Sequence, residues 1–351
     1  MATLKPHLLI YDALNPWAAP VAGSHGVPAV RLFTSGAAPC SYVIHTFLRE
    51  RNAHDGGKEE EYPVPELDRR LSFHDREMIR AIIRDQGRIR DPEDRNIILM
   101  STSREMEGKY IDYMSRLFGG CKILPLGTLV RYEQDDNDNN SFHVVMEWLG
   151  EKEEKSTVYI SFGSECFLSD EEIQEVALGL EESGVDFIWV VRFPKGEQKD
   201  LKVALPKGFL GRVGDRGRVG DRGRVVEGWA PQASVLSHPS IGGFMSHCGW
   251  NSTMESVVHG VPIIAIPMQF EQPINAKLIV EIGVGVEVVR DDRTGRFRHE
   301  DVCRAVSGVI HGKVGDAVRR NVQVIGENVR AKSSKEMEEA VAMLAQLSCQ
   351  K

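Results

Sequence analysis

The sequence predicts an α/β protein with two domains, each built around a parallel β-sheet. Short β-branched or aliphatic runs alternate with longer amphipathic segments, which is the pattern of successive βαβ units. The chain has 351 residues, enough for two domains of ordinary size. Hydrophobic residues make up 42% and charged residues 27%, which excludes wholesale disorder, collagen and membrane-spanning classes.

The first half of the chain contains four predicted strands and three predicted helices. The strands are expected at 7–11, 29–34, 96–102 and 121–126, and the helices at 41–51, 71–85 and 105–118. The first strand is a nearly continuous apolar run, which is typical of a parallel strand buried on both faces.

The second half contains six predicted strands, at 157–162, 187–191, 224–227, 242–246, 263–267 and 286–289. Ser169 and Glu172 have the spacing of a capping box at the start of an amphipathic helix. From residue 315 to the end the pattern is that of a long charged helix, with a break expected near 332–335.

The acidic, polar segment 133–140 (EQDDNDNN) lacks apolar periodicity and indicates a linker between the two halves. We divide the chain into a first domain (1–135), a linker (136–140), a second domain (141–330) and a C-terminal helix (331–351) that crosses back to the first domain. A tandem hexapeptide, RVGDRG at 212–217 and again at 218–223, predicts a duplicated surface loop.

Charge and cysteine usage exclude several function classes. A net charge of −8 is a poor match for nucleic acid or an anionic membrane. The six cysteines are dispersed without metal-ligand spacing, so neither a disulfide framework nor a zinc site is predicted. The N-terminus has no signal-peptide pattern, and the apolar run 257–270 is too short to cross a bilayer. We therefore predict a cytoplasmic monomer that binds no nucleic acid and has no stable membrane insertion.

The segment 229–272 has the most unusual composition. A predicted strand runs into the small turn His247-Cys248-Gly249 and then into a helix that begins near Asn251. The free N–H groups at that helix start, together with Asn251, Ser252 and His247, predict a site for an anion such as a diphosphate.

Other side chains of this segment match the remaining parts of a nucleotide sugar. Trp229 offers a flat aromatic face, Glu255 a carboxylate for ribose hydroxyls, and Glu271 and Gln272 polar groups for a sugar. Taken singly, His247 would be an ordinary turn histidine, Trp229 a core aromatic and Glu255 a solvated helix residue. Only their joint spacing favours a binding site.

The 44 residues from 229 to 272 resemble the signature box of plant family 1 UDP-glycosyltransferases. The resemblance implies that Trp229 stacks on uracil, that Gln232 and Glu255 bind the ribose, and that Ala230 belongs to the donor-binding set. It assigns the diphosphate to Ser164, His247, Asn251 and Ser252, and the donor sugar to the backbone around Trp250 and to Glu271 and Gln272.

The segment 5–18 (KPHLLIYDALNPWA) resembles the part of the family that carries the acidic partner of a catalytic dyad. The resemblance implies that Asp12 orients a general-base histidine. Read alone, Asp12 would be a turn former at a strand end. Family members have about three further βα units before this point, one of which carries the histidine, so we expect an N-terminally shortened chain with an incomplete first domain.

The resemblance implies a GT-B fold of two Rossmann-like domains and an inverting transfer of a sugar from UDP-sugar to a small-molecule hydroxyl. Gln272 favours glucose as that sugar. The segments LIYDALNPWA and SFGSECF resemble those of members that act on flavonoid or terpenoid glycosides, which favours such glycosides as acceptors. No metal and no cofactor is expected, since UDP-sugar is a co-substrate. Two alternatives stay open, a catalytically impaired UDP-sugar-binding protein and, against the signature box, a UDP-sugar epimerase.

Overall fold

The structure is a computed structural model that describes residues 6–51, 63–86, 97–129, 140–194, 196, 199–214 and 221–349. It divides into two compact units. The first unit comprises Met1–Leu71, Glu77–Leu129 and Glu327–Lys351, and the second comprises Ser72–Arg76 and Val130–Gly326. Most of the predicted linker (136–139) lies outside the described residues, and Asn140 is the first residue of a helix.

The first unit contains a parallel sheet in the order β1-β2-β3-β4. Its strands are β1 (Leu9–Asp12), β2 (Ala29–Phe33), β3 (Ile97–Met100) and β4 (Lys122–Pro125), which confirms the four predicted strands. The expectation that β1 is buried on both faces is wrong. It lies at a sheet edge with β2 as its neighbour among the described strands, so Tyr11 is buried while Ile10 is exposed.

Among the described residues, five helices connect these strands. They are α1 (Ala18–Ser24), α2 (Ala37–Arg51), α3 (Pro63–Arg70), α4 (Phe73–Gln86) and α5 (Arg104–Leu117). The predictions of α2, α4 and α5 are confirmed, and α1 and α3 were not predicted.

A buried carboxylate closes the start of α2. Glu107 has non-helical backbone angles inside α5 (φ −129°), and its two carboxylate oxygens accept the N–H groups of Ala37 and Ala38, each at 2.7 Å. The free N–H groups at a helix start attract negative charge, and here the protein itself supplies it.

The second unit contains a parallel sheet in the order β10-β9-β8-β5-β6-β7. All six predicted strands are confirmed, as β5 (Thr157–Ser161), β6 (Asp186–Val191), β7 (Gly223–Glu227), β8 (Ile241–Ser246), β9 (Ile263–Ala265) and β10 (Gly285–Glu287). Helices cover both faces of this sheet, and each face has its own apolar core. They are α6 (Asn140–Gly150), α7 (Asp170–Ser183), α8 (Leu201–Ala204), α9 (Phe209–Val213), α10 (Gln232–Leu236), α11 (Trp250–Val258), α12 (Gln272–Glu281) and α13 (His299–Ile310).

The capping box of α7 is confirmed, because Ser169 and Glu172 exchange both hydrogen bonds. The last helix, α14 (Lys313–Cys349), is continuous, so the predicted break near 332–335 is wrong. Within the first unit, Lys332 pairs with Glu105, and Glu336 accepts the Arg104 N–H at 3.2 Å. These contacts hold residues 332–336 of α14 against the start of α5. This polar part of α14 therefore stays helical.

The two ends of the duplicated hexapeptide lie in regular elements and not in the surface loop that the sequence predicts. Residues 215–220 lie outside the described residues. The first copy begins inside α9, where Val213 is buried, and the second ends in β7, where Gly223 packs against the Phe187 ring. No helix in the described part of the chain combines the length and the apolarity needed to cross a membrane.

Candidate functional site

The candidate site lies where the strand order of the second sheet reverses. From β5 the chain moves outward through β6 and β7, and it then returns to β8 on the other side of β5. Ser161 at the end of β5 pairs with Ser246 at the end of β8. In open parallel sheets, ligands bind in the crevice beyond the carboxyl ends of the strands at such a switch point.

His247 occupies this crevice between two glycines. A Cβ atom at Gly249 would lie 2.6 Å from Nε2 of His247, and Gly163, with φ +78°, approaches the imidazole from the loop after β5. The glycines therefore leave the space that the ring fills. Ser164 follows Gly163 on the same loop and is exposed.

The imidazole of His247 is buried, with 8% of the residue exposed. Its Nδ1 has no hydrogen-bond partner among the described residues. Burial lowers the pKa of His247 to about 4, so the ring is neutral at pH 7. A buried polar atom without a partner indicates a group that a ligand can satisfy.

The helix α11 begins directly after this histidine. Gly249 is its N-cap and supplies no side-chain hydrogen bond to the first turn. Trp250 is buried, whereas Asn251 is exposed at the helix start. In contrast to α2, which Glu107 closes, α11 begins after Gly249, an N-cap residue that has no side chain to cap the helix.

The turn before α11 is held by two contacts to a strained residue. Cys248 has φ +64°, its N–H donates to Oγ of Ser246 at 3.2 Å, and its carbonyl accepts Nδ2 of Asn275 at 2.9 Å. Sparsely populated backbone conformations persist where surrounding contacts impose them, often at functional sites. Asn275 was not predicted as a site residue, and only its contact with the turn reveals it.

Three predicted residues form one hydrogen-bonded group. Nε2 of Gln232 donates to Oε2 of Glu255 at 2.6 Å and to Oγ of Ser252 at 3.1 Å. Burial raises the pKa of Glu255 above its ordinary value, and the hydrogen bond from Gln232 opposes this effect only in part. The structure thus joins the two residues expected to bind ribose and one expected to bind the diphosphate.

Trp229 presents its indole at the end of β7, and 46% of the residue is exposed. The neighbouring Ala230 is buried. Nε of Arg192, at the end of β6, donates to the Gly228 carbonyl at 2.6 Å and so holds the backbone before Trp229. Arg192 was not predicted, and its position after a strand was the only signal in the sequence.

Glu271 and Gln272 lie at the start of α12. Burial raises the pKa of Glu271. Gln272 is buried and contacts Cys166 and the backbone before it. Among the described residues, no three His, Cys, Asp or Glu side chains form a group that could hold a metal ion.

Asp12 is in the first unit, as the last residue of β1. Its Oδ1 accepts the N–H of Leu14 at 2.8 Å. Within the described part of the chain no histidine is hydrogen-bonded to this carboxylate.

Residues 137–341 match the family model described as UDP-glucoronosyl and UDP-glucosyl transferase. The chain is 42% identical to a beta-D-glucosyl crocetin beta-1,6-glucosyltransferase of Gardenia jasminoides, over 99% of this chain and 76% of the relative. It is 37% identical to a flavanone 7-O-glucoside 2''-O-beta-L-rhamnosyltransferase of Citrus maxima, over 99% and 75%.

A transferase from Siraitia grosvenorii, crystallised in complex with UDP, is similar in structure. Its TM-score to this chain is 0.80 at 28% identity, and the match covers 98% of this chain and 83% of that one. The similarity therefore extends over both units.

Proposed function

The chain belongs to the UDP-glucoronosyl and UDP-glucosyl transferase family, as a plant family 1 UDP-glycosyltransferase with the GT-B fold, and we propose that it transfers glucose from UDP-glucose to a hydroxyl group of a small-molecule glycoside. The observation that supports this most is the hydrogen-bonded group of Gln232, Ser252 and Glu255 beside the start of α11, whose N-cap Gly249 provides no side-chain cap. Ribose hydroxyls and a diphosphate need these two kinds of group side by side.

We assign the other predicted site residues to the uracil, the diphosphate and the sugar of the donor. The exposed indole of Trp229 stacks on uracil, and the adjacent, buried Ala230 belongs to the same donor-binding set. Ser164, Asn251, Ser252 and the Nδ1 of His247 bind the diphosphate, and the backbone of Trp250 with Glu271 and Gln272 binds the sugar. The role of His247 is supported by its buried Nδ1, which has no hydrogen-bond partner among the described residues.

In the proposed reaction a base removes the proton from the acceptor hydroxyl. The oxygen then attacks the anomeric carbon from the side opposite the phosphate, and the bond to UDP breaks, so the configuration inverts. The family resemblance gives Asp12 the role of orienting a histidine base, and no described histidine is hydrogen-bonded to Asp12. The N–H groups at the start of α11 and the neutral His247 stabilise the charge that develops on the diphosphate. This step needs no cofactor besides the co-substrate.

The names of two relatives support a glycoside acceptor. The Gardenia protein is named for glucosyl crocetin and the Citrus protein for a flavanone glucoside, so both names describe an acceptor that already carries a sugar. By name, the Gardenia protein transfers glucose and the Citrus protein transfers rhamnose, so the relatives do not agree on the donor sugar. The proposal of glucose for this chain therefore depends on Gln272.

The first experiment measures UDP binding by calorimetry. Trp229→Ala should weaken UDP binding roughly 5- to 150-fold, because stacking on a base contributes about 1–3 kcal/mol. Trp17→Ala, which removes another exposed indole from the first unit, is the matched control. A folded protein that does not bind UDP would contradict the proposal.

The second experiment measures UDP release with UDP-glucose, UDP-galactose or UDP-rhamnose and a flavonoid or terpenoid glycoside. Glucose transfer that is lost in Asp12→Asn supports the full proposal. Release of UDP without acceptor would contradict it.

A second candidate is a UDP-sugar-binding protein without transferase activity. It is favoured by one observation, that the Asp12 carboxylate has no described histidine as a partner. Tight UDP-glucose binding together with no transfer to any glycoside, in wild type and in Asp12→Asn alike, would select this candidate.

A further inference from the structure

Cys166 contacts two glutamine side chains at the edge of the donor site. It lies two residues after Ser164, in the loop between β5 and α7, and it is buried. Its Sγ is 3.2 Å from Nε2 of Gln269 and 3.2 Å from Nε2 of Gln272. These glutamines follow β9, so the thiol joins two loops at the same edge of the sheet.

The backbone fixes the orientation of the Gln272 carboxamide. Its Oε1 accepts the N–H of Met268 at 3.0 Å and the N–H of Gln269 at 2.9 Å. The NH₂ group must therefore face the opposite way, toward Cys166. With 4% of the residue exposed, Gln272 has little freedom to choose another orientation.

An amide NH₂ group carries two hydrogens, and the thiol of Cys166 can accept only one of those on Gln272 in a linear bond. The second N–H is left for another acceptor. Burial raises the pKa of the Cys166 thiol, so the sulfur is neutral and unreactive at pH 7. Cys166 is therefore better suited to packing or hydrogen bonding than to acting as a nucleophile or a redox group.

We propose that Cys166 is a positioning residue of the donor site: its Sγ accepts one N–H of the Gln272 amide, in addition to the backbone bonds to Oε1, and the second N–H is left for a hydroxyl group of the donor sugar. This inference rests on the proposed function, because it takes the sugar to lie against Gln272. It predicts a defect confined to the sugar half of the donor. A residue that merely fills the core would affect UDP and UDP-glucose equally.

The test compares the Kd of UDP with that of UDP-glucose by calorimetry. Cys166→Val keeps the volume and removes the acceptor, and Cys166→Ser restores an acceptor oxygen. Cys303→Val on α13, whose sulfur has only a 4.0 Å contact with Oγ of Ser307, is the matched control. Thermal unfolding shows that each variant is folded, and Cys166→Ala replaces Cys166→Val if valine prevents folding.

We expect Cys166→Val to weaken UDP-glucose binding about 3- to 10-fold, the usual effect of one hydrogen bond, with UDP binding unchanged. Cys166→Ser should recover part of the loss. Equal weakening of both ligands, or no weakening of either, would overturn the inference while leaving the proposed function intact. A wild-type protein that binds neither ligand would instead refute the proposed function.

Discussion

The imidazole of His247 packs against the backbone of Gly163, so that a Cβ atom at position 163 would lie 2.8 Å from Cε1 of His247. Gly163 also has φ +78°, a conformation that other residues rarely adopt. The loop after β5 and the turn after β8 therefore depend on each other for their shape.

Gly163→Ala should weaken UDP binding roughly tenfold or more, because the added methyl group must displace His247 or the loop that carries Ser164. Calorimetry with UDP measures the effect. The matched control is Gly308→Ala on α13, where an added Cβ meets nothing within 4 Å. Unchanged UDP affinity in Gly163→Ala would show that the contact is not needed for binding.

The buried state of His247 predicts a pH dependence of stability. Burial lowers its pKa to about 4, from an ordinary value of about 6.5. Between these values the unfolded state binds the proton and the folded state does not, so the free energy of unfolding should fall as the pH falls from about 6.5 to about 4. The full contribution is about 3 kcal/mol.

Denaturant unfolding at several pH values between 7 and 4 tests this. The difference between wild type and His247→Asn isolates the histidine, since other titrating groups cancel, and the variant should lose less stability in acid. His311→Asn, at the exposed end of α13, serves as the control. The same slope in wild type and His247→Asn would rule out a buried neutral imidazole.

The ends of the duplicated hexapeptide meet in one hydrogen bond. The N–H of Arg222 donates to the carbonyl of Val213 at 2.9 Å. If one copy (218–223) is deleted, the first copy supplies an identical Asp-Arg-Gly before Arg224. In the shortened chain, the equivalent N–H and carbonyl groups are three positions apart (i and i+3). This is the spacing of the hydrogen bond in a β-turn.

Deletion of 218–223 should therefore change the free energy of unfolding by no more than about 0.5 kcal/mol. Gly223→Ala should cost about 1–3 kcal/mol, because its Cβ would lie 2.5 Å from Cζ of Phe187. Gly211→Ala, with open space around the added atom, is the control. A large loss on deletion would mean that the second copy carries contacts of its own.

The ten strands of the described residues could be predicted because most are short apolar runs bounded by turn residues. The short helices could not, since α1 has only seven residues and includes Pro20 and Gly23. The donor-site residues could be predicted as a set because they lie close together in the sequence, and the structure joins three of them, Gln232, Ser252 and Glu255, by hydrogen bonds. The contacts of Glu107 with Ala37 and of Cys166 with Gln272 join residues 70 and 106 positions apart, and no local pattern encodes them.

The bond between Gln232 and Glu255 leads to a prediction about ribose. Nε2 of Gln232 lies 2.6 Å from Oε2 of Glu255, which fixes the carboxylate and leaves Oε1 without a hydrogen-bond partner among the described residues. A carboxylate accepts hydrogen bonds from the hydroxyls of a ribose, and bonds to a charged group contribute about 1.5–3 kcal/mol. Discrimination between UDP and 2′-deoxy-UDP should therefore depend on Glu255.

Wild-type protein should bind UDP roughly tenfold or more tightly than 2′-deoxy-UDP. Glu255→Gln should lose most of this preference, because one carboxylate oxygen becomes an NH₂ group that cannot accept. Competition calorimetry with both nucleotides gives the ratio directly, and Glu182→Gln on the exposed side of α7 is the control. If Glu255→Gln weakens both nucleotides equally, the carboxylate supports the fold of the site and does not contact the ribose hydroxyl.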